Sequence, residues 1–314
     1  MKWLTDLTYV HFPNIDVLNV PVYETLVEFY LGNTLIEIKF YGVIIAIGFT
    51  LAVLFGGRMA YKWKMDLDKM LDVLIWGTFA GILGARLYYV AFEWDHYKNN
   101  LLDIFKIWEG GLAIYGGIIG ALVAAYFVCQ KVDLNFYKLV DLAGMSFLIG
   151  QGIGRWGNFT NQEAFGTNTT LPWGMTSDKI ESYINANYAI LTENGMKVDS
   201  TAPVHPTFLY ESIWCILGFF VLFYICQKHK KFDGQLILGY GIIYGLERFF
   251  VEGLRTDSLY IGQSNLRVSQ VISLGLVICC AGLMAAKIME IKKANEEKVA
   301  KYKAKNKKEQ KKDV

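Results

Sequence analysis

The sequence predicts an all-α polytopic membrane protein of about seven transmembrane helices with a small extracytoplasmic head. Three observations carry this. The 314-residue chain is 54% hydrophobic and 15% aromatic but only 19% charged, where soluble domains usually carry about a quarter charged residues. Its mean hydropathy is +0.29. Its charges gather between apolar blocks and in the tail, and those blocks are long enough to cross a hydrocarbon core of ~30 Å.

The elements follow in order. Met1–Leu35 holds Asp6, Asp16, Glu24 and Glu28 with Pro13 and Pro21, and lacks a basic segment leading into an apolar core. It is therefore no secretory signal, and residues 1–36 are read as an extracytoplasmic N-terminal segment. The body, 37–290, contains apolar spans at 37–57, 71–92, 111–130, 139–154, 208–227, 234–253 and 268–287. The fourth is short and runs into GQGIGRWG at Gly150–Gly157, which predicts an incomplete helical crossing. Segment 156–206, with TNTTLPWG and little apolar periodicity, is the expected head; Trp156, Trp173 and Phe208 suit an interface. Residues 291–314 form a Lys-rich cytoplasmic tail, expected to be solvated and partly disordered, with weak attraction to anionic membrane lipid. No aromatic interleaving or fold supports nucleic-acid binding.

Loop charge orients the chain. Arg58, Lys62, Lys64, Lys69, Lys131, Lys138, Lys228, Lys230, Lys231 and the tail fall on one side; Lys98, Lys106, Arg255 and Arg267 fall on the other. The positive-inside rule puts the N-terminus outside and the C-terminus in the cytoplasm. Cys129, Cys215, Cys226, Cys279 and Cys280 lie in or beside apolar blocks without CxxC spacing, so no metal or redox site is expected from them; no cofactor is expected.

Two motifs place charge beside bilayer-compatible segments, where each Arg costs roughly 2.5–3.5 kcal/mol and marks a candidate functional site. In YGLERFFVEGLR, Tyr244, Arg248, Glu252 and Arg255 share one helical face. In GRWGNFTNQEAFG, from Gly154 to Gly166, Arg155 has a planar fork suited to an anionic head group, and Asn158 and Asn161 can both donate and accept. A turn pinned by an Arg155–Glu163 pair is the plainer alternative. His205 either enters the site or braces the head. Arg86 either binds a lipid phosphate or pairs with Glu93.

The G-R-x-G-N-F-x-N-x-E-x-x-G pattern resembles the signature of bacterial prolipoprotein diacylglyceryl transferases. YGVIIAIG from Tyr41, GARLYYV from Gly84, WEGGLAIYGGIIG from Trp108, HPTFLYES from His205, and LRVSQVIS from Leu266 agree in order. The resemblance covers about residues 37–290. It implies a multi-pass enzyme of the bacterial plasma membrane. Such an enzyme moves diacylglyceryl from phosphatidylglycerol to the cysteine thiol of a prolipoprotein lipobox segment, forming a thioether and releasing glycerol phosphate.

The resemblance carries importance onto Tyr41, Gly116, Asp141, Arg155, Asn158, Glu163, Gly166, Tyr244, Arg248 and Glu252. Arg155, Arg248, Tyr115 and Glu163 are the catalytic candidates. Tyr41, Arg86, Gly116, Asn158, Gly166, His205, Tyr244, Glu252 and Arg255 are the substrate-binding ones, and Asp141 is expected to brace the Arg155 region. One departure stands out: many relatives have histidine where this chain has Tyr115, before Gly116 and Gly117. A phenol titrating near 10 is a poor base at neutral pH, so an orienting role is expected there. Two other classes find less support. An alternating-access transporter lacks support from any internal repeat. An intramembrane protease suggested by Gly144-Met145-Ser146 lacks the following glycine and a membrane histidine.

Overall fold

A computed structural model describes residues 2–15, 18–260 and 266–310. Strands β1 (Lys2–Phe12), β2 (Leu18–Leu31) and β3 (Thr34–Lys39) come first. Helices α1 (Phe40–Lys62), α2 (Leu67–Phe92), the short α3 (Trp94–Tyr97), α4 (Ile114–Lys131) and α5 (Phe136–Asn161) follow. Helices α6 (Asp178–Glu193), α7 (Thr207–Lys228), α8 (Gln235–Glu252) and α9 (Val268–Gln310) complete the chain.

Among the described residues, five helices are long and apolar enough to cross a membrane: α1, α2, α4, α7 and the Val268–Lys303 part of α9. The protein is therefore mostly helical and multi-pass. The other two expected spans are helical as well. They are more polar because α5 carries Lys138, Asp141 and Arg155, and α8 carries Glu247, Arg248 and Glu252.

Three local expectations change. The glycine-rich end of the fourth span does not interrupt it, for α5 is continuous through Asn161. Segment 156–206 is not aperiodic. Ser177 caps α6 by accepting from the Ile180 N–H at 3.2 Å, and Ile180, Ile184 and Leu191 turn inward from α6. The Lys-rich run continues α9 as helix to Gln310. It is dense in Lys, Glu and Ala and has no Gly or Pro, so helix propensity favours that outcome. Residues 311–314 of the expected tail, and Asp16, lie outside the described residues.

The chain divides into two compact units. One comprises Met1–Val53 and Gly144–Val314. In it, β1–β2–β3 form an antiparallel sheet. The Thr25 hydroxyl donates to Asp6 at 2.7 Å and accepts from Lys39 at 2.8 Å, tying all three strands together. Val10 and Val22 from this sheet share a core with Phe165, Met175, Ile180, Ile184 and Val204. His11 and Thr176 exchange backbone hydrogen bonds at 2.8 and 2.9 Å. The N-terminal strands and the 156–206 segment thus fold as one body.

The second unit is Leu54–Ala143. Its centre is the contact of α2 with α4, which small residues allow. A side chain at Gly84 would meet the Gly116 carbonyl oxygen at 2.5 Å, and one at Gly116 would collide with the Gly84 carbonyl and the Tyr88 Cβ. Gly116 and Gly120 repeat at the four-residue spacing that lets membrane helices approach backbone to backbone. Gly116 therefore has a packing role between these two helices.

Candidate active site

The first unit brings three guanidiniums onto one carboxylate. Arg155, from the last turns of α5, lies 3.3 Å from Glu211 Oε1. Arg248, on α8, lies 3.5 Å from the same oxygen, and Arg255, just past α8, lies 4.0 Å away. The Glu211 side chain is 1% exposed, while those of Arg155, Arg248 and Arg255 are 22%, 17% and 14% exposed. The carboxylate is sealed and the cations keep an accessible edge. A sealed carboxylate that holds three like charges together, with part of each arginine side chain accessible, is an arrangement able to receive an anion.

Each arginine is also anchored separately. Arg248 Nη2 donates to Glu252 Oε2 at 2.5 Å across one turn of α8. Arg255 is bidentate to Asp257, with Nε–Oδ1 at 2.8 Å and Nη2–Oδ2 at 2.6 Å. Burial opposes the Arg255 charge, but these bonds outweigh it and raise its affinity for the proton further. Burial alone would push Asp257 up; Arg255 instead holds it below the usual carboxylate range. Tyr244 stacks on Tyr240 with ring centroids 5.8 Å apart.

The Gly154–Gly166 motif carries Arg155 near its start. Asn158 and Asn161 donate to Glu163 Oε1 at 2.9 and 3.3 Å. The expected alternative of an Arg155–Glu163 pin is thus replaced: Arg155 turns to Glu211 and amides hold Glu163. Gln162 and Ala164 adopt φ of 53° and 57° as the chain leaves α5, and Gln162 donates to Thr8 at 2.5 Å, fixing this exit to β1. Tyr41 packs over Gly157, where a Cβ would meet its ring at 2.7 Å. Gly166 donates to the His205 carbonyl at 2.9 Å and bridges to Arg255. A side chain there would meet the His205 Cβ at 2.8 Å and the Leu254 carbonyl oxygen at 3.2 Å. Gly166 thus sets the course of the chain beside Arg255 by close approach.

Arg86 takes a different role from those expected, and His205, Asp141 and Tyr115 are placed as follows. Arg86 neither pairs with Glu93 nor presents a free fork. Its five N–H groups reach the backbone carbonyls of Ile104, Gly110, Gly111, Asp103 and Lys106 at 2.6–3.3 Å, and it sits over the Tyr97 ring at 5.1 Å. It pins the loop between α3 and α4. His205 contacts the Tyr210 hydroxyl at 3.0 Å, and Trp173 donates to that same oxygen at 2.7 Å. Burial lowers the His205 pKa, which suits a bracing ring. Asp141 is fully buried, but fourteen residues of α5 separate it from Arg155, about 21 Å of rise, so it does not brace Arg155 by contact. Tyr115 opens α4 in the second unit and is exposed.

Glu211 and Glu247 are functional candidates that the sequence reading passed over. Both are acids within apolar spans, the same signal that singled out Arg248. Each was hidden inside a quoted motif, HPTFLYES and YGLERFFVEGLR respectively.

Comparison with known proteins identifies relatives over most of the chain. The family model described as prolipoprotein diacylglyceryl transferase matches residues 28–286. The phosphatidylglycerol–prolipoprotein diacylglyceryl transferase of Finegoldia magna is 45% identical over 243 residues, covering 77% of this chain and 88% of that protein. The protein of the same name from Listeria monocytogenes is 46% identical over 256 residues, covering 82% and 88%. That from Clostridioides difficile is 40% identical over 260 residues, covering 83% and 94%. The chain belongs to the prolipoprotein diacylglyceryl transferase family.

Proposed function

We propose that this chain moves the diacylglyceryl group of phosphatidylglycerol onto the lipobox cysteine thiol of prolipoproteins, and that Arg155 and Arg248 carry the chemistry. The reaction forms a C–S bond at the glycerol carbon and breaks its C–O bond to phosphate. Glycerol phosphate leaves as an anion, and the thiol proton is balanced on the released products. Two demands follow. The thiol, with a pKa about 8.5, must become thiolate, and charge growing on the departing phosphate must meet fixed donors. One cationic edge serves both.

The observation that carries this reading is the convergence of Arg155, Arg248 and Arg255 on the sealed Glu211 carboxylate. Glu252 keeps the Arg248 fork aimed, and Asn158, bonded to Glu163, is assigned to the Arg155 side. Tyr41 and Tyr244 are assigned to head-group oxygens and Tyr115 to orienting the head group. The proposed body has seven crossings, with α5 and α8 joining the five apolar helices. The N-terminus and the 156–206 segment are proposed to lie outside and the C-terminus inside. Loop charge supports this orientation, as does the core shared by the N-terminal strands and that segment. The test is purified protein with phosphatidylglycerol and a lipobox peptide, read as mass gain on the cysteine together with glycerol phosphate release. Peptide that stays unmodified would overturn the assignment.

A further inference from the structure

Beside the arginine cluster lies a second buried acid that the mechanism above does not use. Glu247, on α8, is 2% exposed and its side chain meets that of Glu211, itself fully buried. Both Glu211 oxygens and Glu247 Oε1 are sealed from solvent and receive no hydrogen bond. The arginines stand at ion-pair distances of 3.3–4.0 Å from Glu211, and none makes a hydrogen bond to it. Two ionised carboxylates in contact, with three of their four oxygens sealed and without a donor, are strongly disfavoured. A single proton removes both problems, since it cancels one charge and supplies the missing donor.

We propose that Glu211 and Glu247 share one proton, and that Glu247 is a positioning residue that sets the charge the arginine cluster presents to the phosphate of the lipid. This rests on the transferase reading. The groups facing Glu247 are Arg155 from α5, Glu211 and Cys215 from α7, and Tyr240 and Arg248 from α8 itself. On the α9 side, Cys280 meets α8 at Gly241. Counting outward, Arg155, Arg248 and Arg255 face Glu211, Glu247, Glu252 and Asp257. With the shared proton the cluster is balanced and its open guanidinium edges accept an anionic head group. Without it the cluster carries an extra negative charge a few ångströms from the phosphate, and binding weakens. The pair therefore acts on the KM for phosphatidylglycerol more than on kcat.

Two measurements on the full-length protein decide this. Infrared spectroscopy of the wild type should show a protonated-carboxyl C=O stretch at neutral pH that disappears on alkaline titration. The band should be missing in Glu247→Gln, whose amide supplies a permanent donor. Transfer kinetics should show the wild-type KM for phosphatidylglycerol rising about tenfold or more between about pH 7 and about pH 9.5, with kcat changing less. In Glu247→Gln that rise should vanish. Should the Gln variant fail to fold, Glu247→Asp keeps a shareable proton and should retain the band and the KM rise. A wild type without the band, or a KM rise shared equally by Glu247→Gln, overturns the proposal. A wild type with the band and no transferase activity would instead reject the functional reading while leaving the carboxyl pair in place.

Discussion

Arg248 donates to Glu252 Oε2 at 2.5 Å with one arm of its fork, while the other arm lies 3.5 Å from Glu211 Oε1. One guanidinium is thus held between an acid on its own helix and an acid on α7. Its planar geometry, as well as its charge, is in use.

The first prediction follows from that bond. Arg248→Lys keeps the charge but cannot span both carboxylates, so transfer should fall well over tenfold while the protein still inserts and folds. Lipobox-peptide modification, normalised to folded protein, provides the measurement. Near-normal transfer by the Lys variant would mean that positive potential alone suffices.

Tyr115 tests the departure from the family pattern. As an orienting phenol it should tolerate Tyr115→Phe with a moderate loss of turnover and an unchanged shape of the pH–rate profile. Complete loss in Phe, with rescue by Tyr115→His and a profile moved toward the imidazole range near 6.5, would make it the proton acceptor instead.

Gly116 should be intolerant for packing reasons. Gly116→Val drives a branched side chain into the Gly84 carbonyl and Tyr88, which should cost about 3 kcal/mol or more. Thermal unfolding in detergent should show the loss. A Val variant as stable as wild type would sink the close-approach account.

His205 sets an acid limit on the fold. Burial holds its folded pKa below the unfolded value. Its contribution is therefore complete above the ordinary histidine range near 6.5 and is lost as pH falls through the depressed folded value. Melting curves should show less acid sensitivity in His205→Gln than in wild type, and equal sensitivity would place the responsible group elsewhere.

Orientation has its own check. In a cysteine-free background, Ser182→Cys on the exposed face of α6 should react with an impermeant thiol reagent from outside intact cells, and Lys301→Cys on α9 should not. Ser177 is unsuitable because it is buried as the α6 cap. The opposite labelling pattern would put the site on the other leaflet.

What could be read from the chain was local or chemical. The Arg248–Glu252 bond follows from four-residue spacing, and Arg155 was marked by its charge at the end of an apolar run. What could not be read was set by partners far away in sequence. Arg86 spends its donors on carbonyls 17–25 residues away, and no spacing rule announces that. Glycines 150, 152, 154 and 157 suggested a broken span, yet α5 stays helical. Its glycines serve neighbours instead: Gly154 meets Ile45, Gly157 meets Tyr41 and Gly152 meets Cys215. The N-terminal sheet was read only as an acidic extension. Its strands owe their place to a core shared with Met175, Ile180 and Val204, which lie more than 130 residues away.

The most direct test of the central claim is side-by-side transfer by wild type, Arg155→Ala and Arg248→Ala, with phosphatidylglycerol and a lipobox peptide as the substrates. The account predicts a diacylglyceryl mass gain on the cysteine and equimolar glycerol phosphate from the wild type, and at least about a hundredfold less from either variant. A wild type that leaves the peptide unmodified, or folded variants that keep near-full transfer, would contradict it.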